Sequence, residues 1–307
     1  MRALATCLLL LASPALFAEP VAGFAVTRDG KLLVVANRDK TVRVLAFPGG
    51  KEVRRITFPE VPGSVAVSPN GKLLAVGGFA RLQVFELATG KLLADADSPV
   101  GRGGVNSLAF SPDGRTLAVA GDFGRAALFD PATAKERLAL AGLKKIVNAI
   151  AFSPDGKTLA TAGVDNLVTL WSPDGKPGLV LRGHETWIAA FVFSPDGSRI
   201  VSLDQNAHVL VWDRATGKLV ERMRGDNGYA YVIACSPDGK TLAWGAEASV
   251  QLWSVAEKKA ITKLPIPRAT ITTLLYSPDG KRLIVGDWAG RVHVFDLATK
   301  ARGELPR

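Results

Sequence analysis

Cysteine, histidine and tyrosine are scarce in this chain of 307 residues, which holds two Cys, three His and three Tyr. Cys7 lies in an apolar N-terminal stretch, so loss of that stretch leaves Cys235 alone. An intramolecular disulfide is then excluded, even in an oxidising compartment. His184, His208 and His293 are too few and too scattered to build a metal centre. Cys pairs, His-x-His, a glycine-rich phosphate loop and a Gly-x-Ser-x-Gly elbow are all missing, so neither cofactor nor metal is expected. Long apolar runs are missing too. Ala3 to Ala12, broken only by Thr6, is too short to span a bilayer, and no membrane span is expected.

That short run has another reading. Arg2, the apolar stretch and the small residues Ser13 to Ala18 have the order of a secretory signal peptide over residues 1–18. Cleavage after Ala18 is the first choice and after Ala15 the alternative. Cys7 comes too early for a lipidation site. The mature domain then spans 19–307, and a periplasmic or secreted location is expected. The formal charge of +10 falls to +9 without Arg2. Lys31, Lys72, Arg115, Lys157, Lys240 and Lys281 share one position in a repeat, which spreads positive charge around a ring instead of gathering it in one cleft. A solvated, solubilising surface fits that spread, and nucleic acid is not an expected partner.

The repeat dominates what is present. Ser-Pro-Asp-Gly occurs at Ser111–Gly114, Ser153–Gly156, Ser194–Gly197, Ser236–Gly239 and Ser277–Gly280, with weaker copies at Ser68–Gly71 and Thr27–Gly30. The glycines fall at 30, 71, 114, 156, 197, 239 and 280, giving intervals of 41, 43, 42, 41, 42 and 41 residues. Such a period is the signature of a propeller with one four-stranded blade per repeat. The chain therefore reads as all-β, a seven-bladed β-propeller of four-stranded antiparallel blades. In the fourth repeat, Val147 to Phe152, Thr158 to Ala162, Leu167 to Trp171 and Leu179 to Leu181 are its strands. Apolar residues alternate in every third strand, as at Val168 and Leu170, and a large residue follows: Leu45, Phe85, Phe129, Trp171, Trp212, Trp253 and Phe295. These fill the core between blades. Cys235 replaces the Phe of neighbouring repeats (Phe110, Phe152, Phe193) and reads as an inert core thiol.

Trp212-Asp213, Gly183-His184 and the Ser-Pro-Asp-Gly turns resemble the WD-repeat family over nearly all of residues 21–307. The stretch Asn37 to Val42 resembles, as a second choice, the YVTN-type bacterial surface propellers. The WD resemblance implies a structural hydrogen-bond tetrad. Its nearest copy would be His184, Ser202, Asn206 and Trp212, with Thr161, Asp165 and Trp171 as a partial set in the fourth repeat. It also implies closure of the last blade by a strand from the other terminus. Here the last outer strand must come from about Ala301 to Pro306, with Gly303 and Pro306 weakening it, so packing alone is expected to seal the ring.

Residues that break the repeat on the upper face, in the loops before each first strand and between second and third strands, are the candidate partner site. Trp187, Tyr229, Tyr231 and Trp288 fall on blades five to seven, and Arg38, Asn106, Asn148 and Gln205 occupy equivalent upper positions. Exposed Trp and Tyr dominate interface hot spots. Phe79 and Phe123 either extend this surface or are buried. The expectation is a monomeric, non-catalytic platform for a protein or peptide. The alternatives are a lactonase-like enzyme using the central channel, and adhesion of the basic ring to an anionic cell-surface polymer.

Overall fold

The computed structural model describes residues 21–98, 103–225, 228–246 and 248–306; the leader expected at 1–18 lies outside them. Within them the turn repeats its hydrogen bonds blade after blade. In blade four, Ser153 Oγ donates to Asp155 Oδ1 (2.6 Å), which also accepts the Lys157 amide (3.1 Å), while Ser153 Oγ accepts the Thr158 amide (3.0 Å). Ser68 with Asn70, and Thr27 with Asp29, make the same set, so the weaker copies do the same work. Gly156 sits at φ +68°, a region open to glycine and strained for other residues.

Each turn ends a hairpin and also touches the turn before it. A Cβ built on Gly114, Gly156, Gly197, Gly239 or Gly280 would lie 3.4–3.7 Å from the Pro Cδ of the preceding blade's turn. Gly30 approaches Pro278 in the same way, at 3.6 Å, so the contact continues across the join between blades seven and one.

Seven four-stranded antiparallel sheets stand around the ring, each made of four consecutive strands. In blade five they are Ile188–Phe193, Arg199–Asp204, His208–Asp213 and Leu219–Arg224, from the central channel outward. Second strands such as Leu159–Gly163 are buried throughout because neighbouring blades cover both faces, while outer strands such as Lys135–Ala139 are largely exposed. The core consists of layers between adjacent blades: Ala160, Val168 and Leu170 of blade four pack with Ile188, Phe191 and Trp212 of blade five.

Six of the seven large third-strand residues are buried; Trp253 is only half-buried. Trp244, on the neighbouring second strand and 1% exposed, lies 6.1 Å from it ring to ring. Two indoles compete for one space, and Trp244 holds it. Cys235 is half-buried, and burial pushes its thiol up to about 11, which keeps it protonated and unreactive.

The seam contains more than packing. The outer strand of blade seven is the three-residue Arg302–Glu304, paired with Val292–Asp296. Leu305 then packs with Val21, Phe47 and Val292. Thr272 Oγ1 donates to the Val21 carbonyl (2.8 Å), and Arg43 Nη1 donates to the Pro306 carbonyl (3.1 Å). The expectation of closure by packing alone is corrected to packing plus hydrogen bonds from side chains to backbone. Leu305→Ala is expected to lower stability by about 2 kcal/mol, the low end for a truncated core leucine. Denaturant unfolding measures the loss, and amide exchange should rise in Arg302–Glu304 and Val21–Val26 with blades three to five unchanged.

Candidate functional site

Two polar arrangements and one apolar surface carry the site. The first arrangement is in blade five. Trp212 Nε1 donates to Ser202 Oγ (2.8 Å), Ser202 Oγ lies 2.7 Å from His184 Nε2, and His184 Nδ1 lies 3.2 Å from Asp204 Oδ2. With a proton on Nδ1, every donor in this chain finds an acceptor. Asn206 is not a member, which corrects the expectation. It is exposed, and its backbone amide donates to Asp204 Oδ1 (3.0 Å). Asp204, 1% exposed at the end of a buried strand, accepts from the Asn206 and His208 amides and also meets the His208 ring (3.2 Å). Burial alone would raise its pKa; the hydrogen bonds from His184 and the His208 amide outweigh that and hold the carboxyl below its usual range.

Blade four keeps Trp171 Nε1 donating to Thr161 Oγ1 (2.9 Å). Asp165 instead accepts the Leu167 amide of its own turn (3.1 Å). In blade seven Asp287 takes the place of Asp204, seven residues after the turn glycine. It accepts from Arg291 Nε (2.7 Å) and the Ala289 amide (2.9 Å) and lies 3.0 Å from His293 Nε2. Asn37 holds that position in blade one, whereas Gly78, Gly121 and Gly163 hold it in blades two to four. A polar residue where other repeats keep glycine was the sequence signal for Asp204.

Ser202, His184 and Asp204 stand in the order of a catalytic triad. Ser202 is wholly buried and its oxygen already accepts the Trp212 N–H, so no substrate reaches it. The chain of hydrogen bonds ties the loop before blade five to the two central strands.

The second arrangement staples blades at the central channel. Asn148 Nδ2 donates to the Ile188 carbonyl (2.8 Å), Asn106 Nδ2 to the Val147 carbonyl (3.3 Å), and Thr272 Oγ1 to the Val21 carbonyl. All three donors lie eight residues before the turn glycine, and all three acceptors nine before that of the next blade. Asn106 also donates to Asp122 Oδ1 (3.1 Å). Asn148 donates to the next blade, and Asn106 divides its amide between the next blade and Asp122 of its own while remaining exposed. Gln205 is tied through its backbone, its amide donating to the Trp187 carbonyl (3.3 Å) and its carbonyl accepting from Ala230 (3.0 Å).

The apolar surface runs further around the ring than expected. Val61, Phe79, Phe123, Ile146, Tyr229, Tyr231 and Trp288 are exposed, and all lie in the loops of the upper face. Phe123 is 71% exposed and Trp288 56%. Tyr229 and Tyr231 stack at 6.5 Å. Trp288 joins blade one, where the Arg38 guanidinium lies 5.3 Å from its ring centroid. Arg38, Trp288, Val61, Phe79 and Asn106 help line a groove of about 410 Å³ over blades seven, one, two and three. Trp187 is half-buried. Sequence reasoning placed the patch on blades five to seven; Trp288 and Arg38 connect it to blades one to three as well.

Seven consecutive four-stranded blades with a Trp–Ser–His–Asp hydrogen-bond chain define a WD-repeat β-propeller. The sequence model of the family described as IFT122 first beta-propeller matches residues 104–306, and the chain belongs to that family. Comparison with curated proteins gave no match. No helix of the described residues is long and apolar enough to cross a membrane.

Asp204→Ala is expected to cost roughly 2–3 kcal/mol by leaving buried donors unpaired, and Asn206→Ala less than about 0.5 kcal/mol. Thermal or denaturant unfolding separates them. Because the folded-state pKa values of Asp204 and Asp287 are depressed, their contribution is complete above the unfolded carboxylate value near 4. It is lost as pH falls through the folded values. Unfolding midpoints measured from pH 7 to pH 2 should therefore drop below about pH 4.

Proposed function

We propose that the protein is an exported, non-catalytic platform that binds a protein or peptide partner across its upper face. WD-type propellers suggest an interaction scaffold, and the observation that carries the choice of face is the apolar collection there. Among the described residues, seven large apolar side chains are exposed on one surface, whereas those on the outer strands, such as Val53 and Val220, are scattered around the rim. Val61, Phe79 and Trp288 share one groove there, and continuous exposed apolar surface marks interaction sites. Phe123 adds to the case, because it presents its ring from a backbone at φ +57°. A left-handed conformation costs a non-glycine residue about 1–2 kcal/mol, and the exposed ring recovers little of that in the free protein. Export rests on residues 1–18, and N-terminal sequencing of protein from the native host tests it: an intact Met1 on cytoplasmic protein would remove that part.

The partner site has its own test. Ala at Phe79, Phe123 or Trp288 should each weaken partner binding by roughly 1–4 kcal/mol, the hot-spot range, with the melting temperature unchanged. Lys72→Ala and Lys157→Ala on the lower face should leave binding intact. Full binding by the triple Phe79, Phe123, Trp288 variant would overturn the proposal.

A further inference from the structure

On the lower face, six of the seven joins between neighbouring turns share one contact, the turn glycine against the proline of the preceding turn. The join between blades one and two breaks it. Arg28 stands where the other turns carry proline, and a Cβ built on Gly71 would meet only the Thr27 methyl, at 4.0 Å. A cleft of about 410 Å³ opens there, and Thr27, Arg28, Asp29, Leu32, Pro69 and Asn70 line it. Proline presets the turn and fills the contact with the next blade; Arg28 does neither.

A second departure from the repeat falls in the same cleft. Asn70 replaces the aspartate that stands in the other six turns. Its Oδ1 accepts the Ser68 hydroxyl (2.8 Å) and the Lys72 amide (3.0 Å), the two donors that aspartate takes in other blades. The carbonyl oxygen is thereby held against the turn, which fixes the orientation of the side-chain amide. The exposed Asn70 then presents its Nδ2 donor where an aspartate would present a second oxygen.

Both departures shift the charge in one direction. Lys31 and Lys72 follow the two turn glycines, so this join carries three cations, with Arg28, against the single carboxylate of Asp29. Between blades three and four, Arg115 and Lys157 stand with Asp113 and Asp155, and the count is even. Asp29 Oδ1 accepts Thr27 Oγ1 (2.6 Å) and the Lys31 amide (3.1 Å), which hold its carboxyl below the usual range and keep it ionised. The blade-seven turn beyond it adds Asp279 together with Lys281. The exposed Arg28 guanidinium makes no hydrogen bond or ion pair among the described residues.

We propose that the cleft between blades one and two binds a tetrahedral oxyanion, the phosphate or sulfate group of a small monoester. The Arg28 fork donates from one wall and Asn70 Nδ2 from the other, while Lys31 and Lys72 add longer-range attraction. The carbon skeleton of the ester lies against Leu32, Pro69 and the Thr27 methyl. Donors on two walls suit a tetrahedral group, whereas a planar carboxylate is saturated by the guanidinium fork alone. The site is independent of the upper-face reading.

Calorimetric titration of the mature protein tests it with glycerol 3-phosphate, N-acetylglucosamine 6-sulfate and acetate, at a fixed ionic strength of about 0.15 M. One ester per protein should bind, and acetate at least about tenfold more weakly. Arg28→Pro and Asn70→Asp each restore the repeat. Each should weaken ester binding at least about tenfold, the value of a charge-assisted hydrogen bond, with the melting temperature unchanged or higher. The double variant Arg115→Ala, Lys157→Ala removes two cations from another join and should change the affinity less than about twofold, because exposed charges at a distance are screened. Tighter binding of the phosphate ester assigns the site to a phosphorylated molecule, and tighter binding of the sulfate ester to a sulfated sugar. Failure of both esters to saturate, acetate binding as tightly as they do, or an equal loss in the Arg115, Lys157 variant and in Arg28→Pro overturns the proposal.

Discussion

The ring depends on the hydrogen-bonded Ser-Pro-Asp-Gly turn. Its serine and aspartate close the hairpin between first and second strands, as Ser153 and Asp155 do with the Lys157 and Thr158 amides. Its glycine takes the positive φ that ends the turn and lets the previous blade's proline approach. One local motif therefore fixes the start of each second strand and the spacing of blades on the lower face. At the channel, Asn106, Asn148 and Thr272 perform a similar task, each reaching the next blade's backbone. Thr272 and the Gly30–Pro278 contact carry both devices across the seam, and Leu305 covers it from outside. The terminal blades are held to each other as interior neighbours are.

The architecture was legible in the sequence because the turn is local chemistry. Serine, proline, aspartate and glycine act within a few residues of one another, so their spacing reports the blade period directly. The tetrad was legible in part. Trp212, Ser202 and His184 stand at expected positions, but the acid comes from Asp204, two residues before Asn206, because a strand end points its side chain inward where a turn residue faces water. The staples were legible only as breaks in the repeat. Asn106 and Asn148 break the repeat as partner residues would, yet the carbonyls they meet belong to another blade and are not visible along the chain. The exposure of Phe79 and Phe123 was undecidable from sequence, since it depends on how each loop lies over its neighbours. Phe123 projects outward because Asp122 accepts the Gly104 amide and the Asn106 side chain, which pins the loop beneath it.

The two faces thus divide the work. The lower face is made of satisfied turns ringed by Lys31, Lys72, Arg115, Lys157, Lys240 and Lys281, whose main-chain amides serve the turns while their side chains face solvent. It departs from the pattern between blades four and five, where Arg214 reaches back to Asp155, and in blade seven, where Tyr276 stands at the position of Phe110, Phe152 and Phe193. The upper face is less constrained by the repeat, and it gathers Phe79, Phe123, Trp288 and the Tyr229–Tyr231 pair. Folding does not require those rings to be exposed, and an interface gains most from them.

Site-specific photo-crosslinking tests this division most directly. A benzophenone side chain replaces Phe79, Phe123 or Trp288 on the upper face, or Lys72, Lys157 or Lys281 on the lower, and each protein is irradiated in extract of its native host. One crosslinked partner common to the three upper positions and absent from the three lower ones is the expected result. A partner trapped from the lower ring, with nothing shared among the upper positions, would contradict the account.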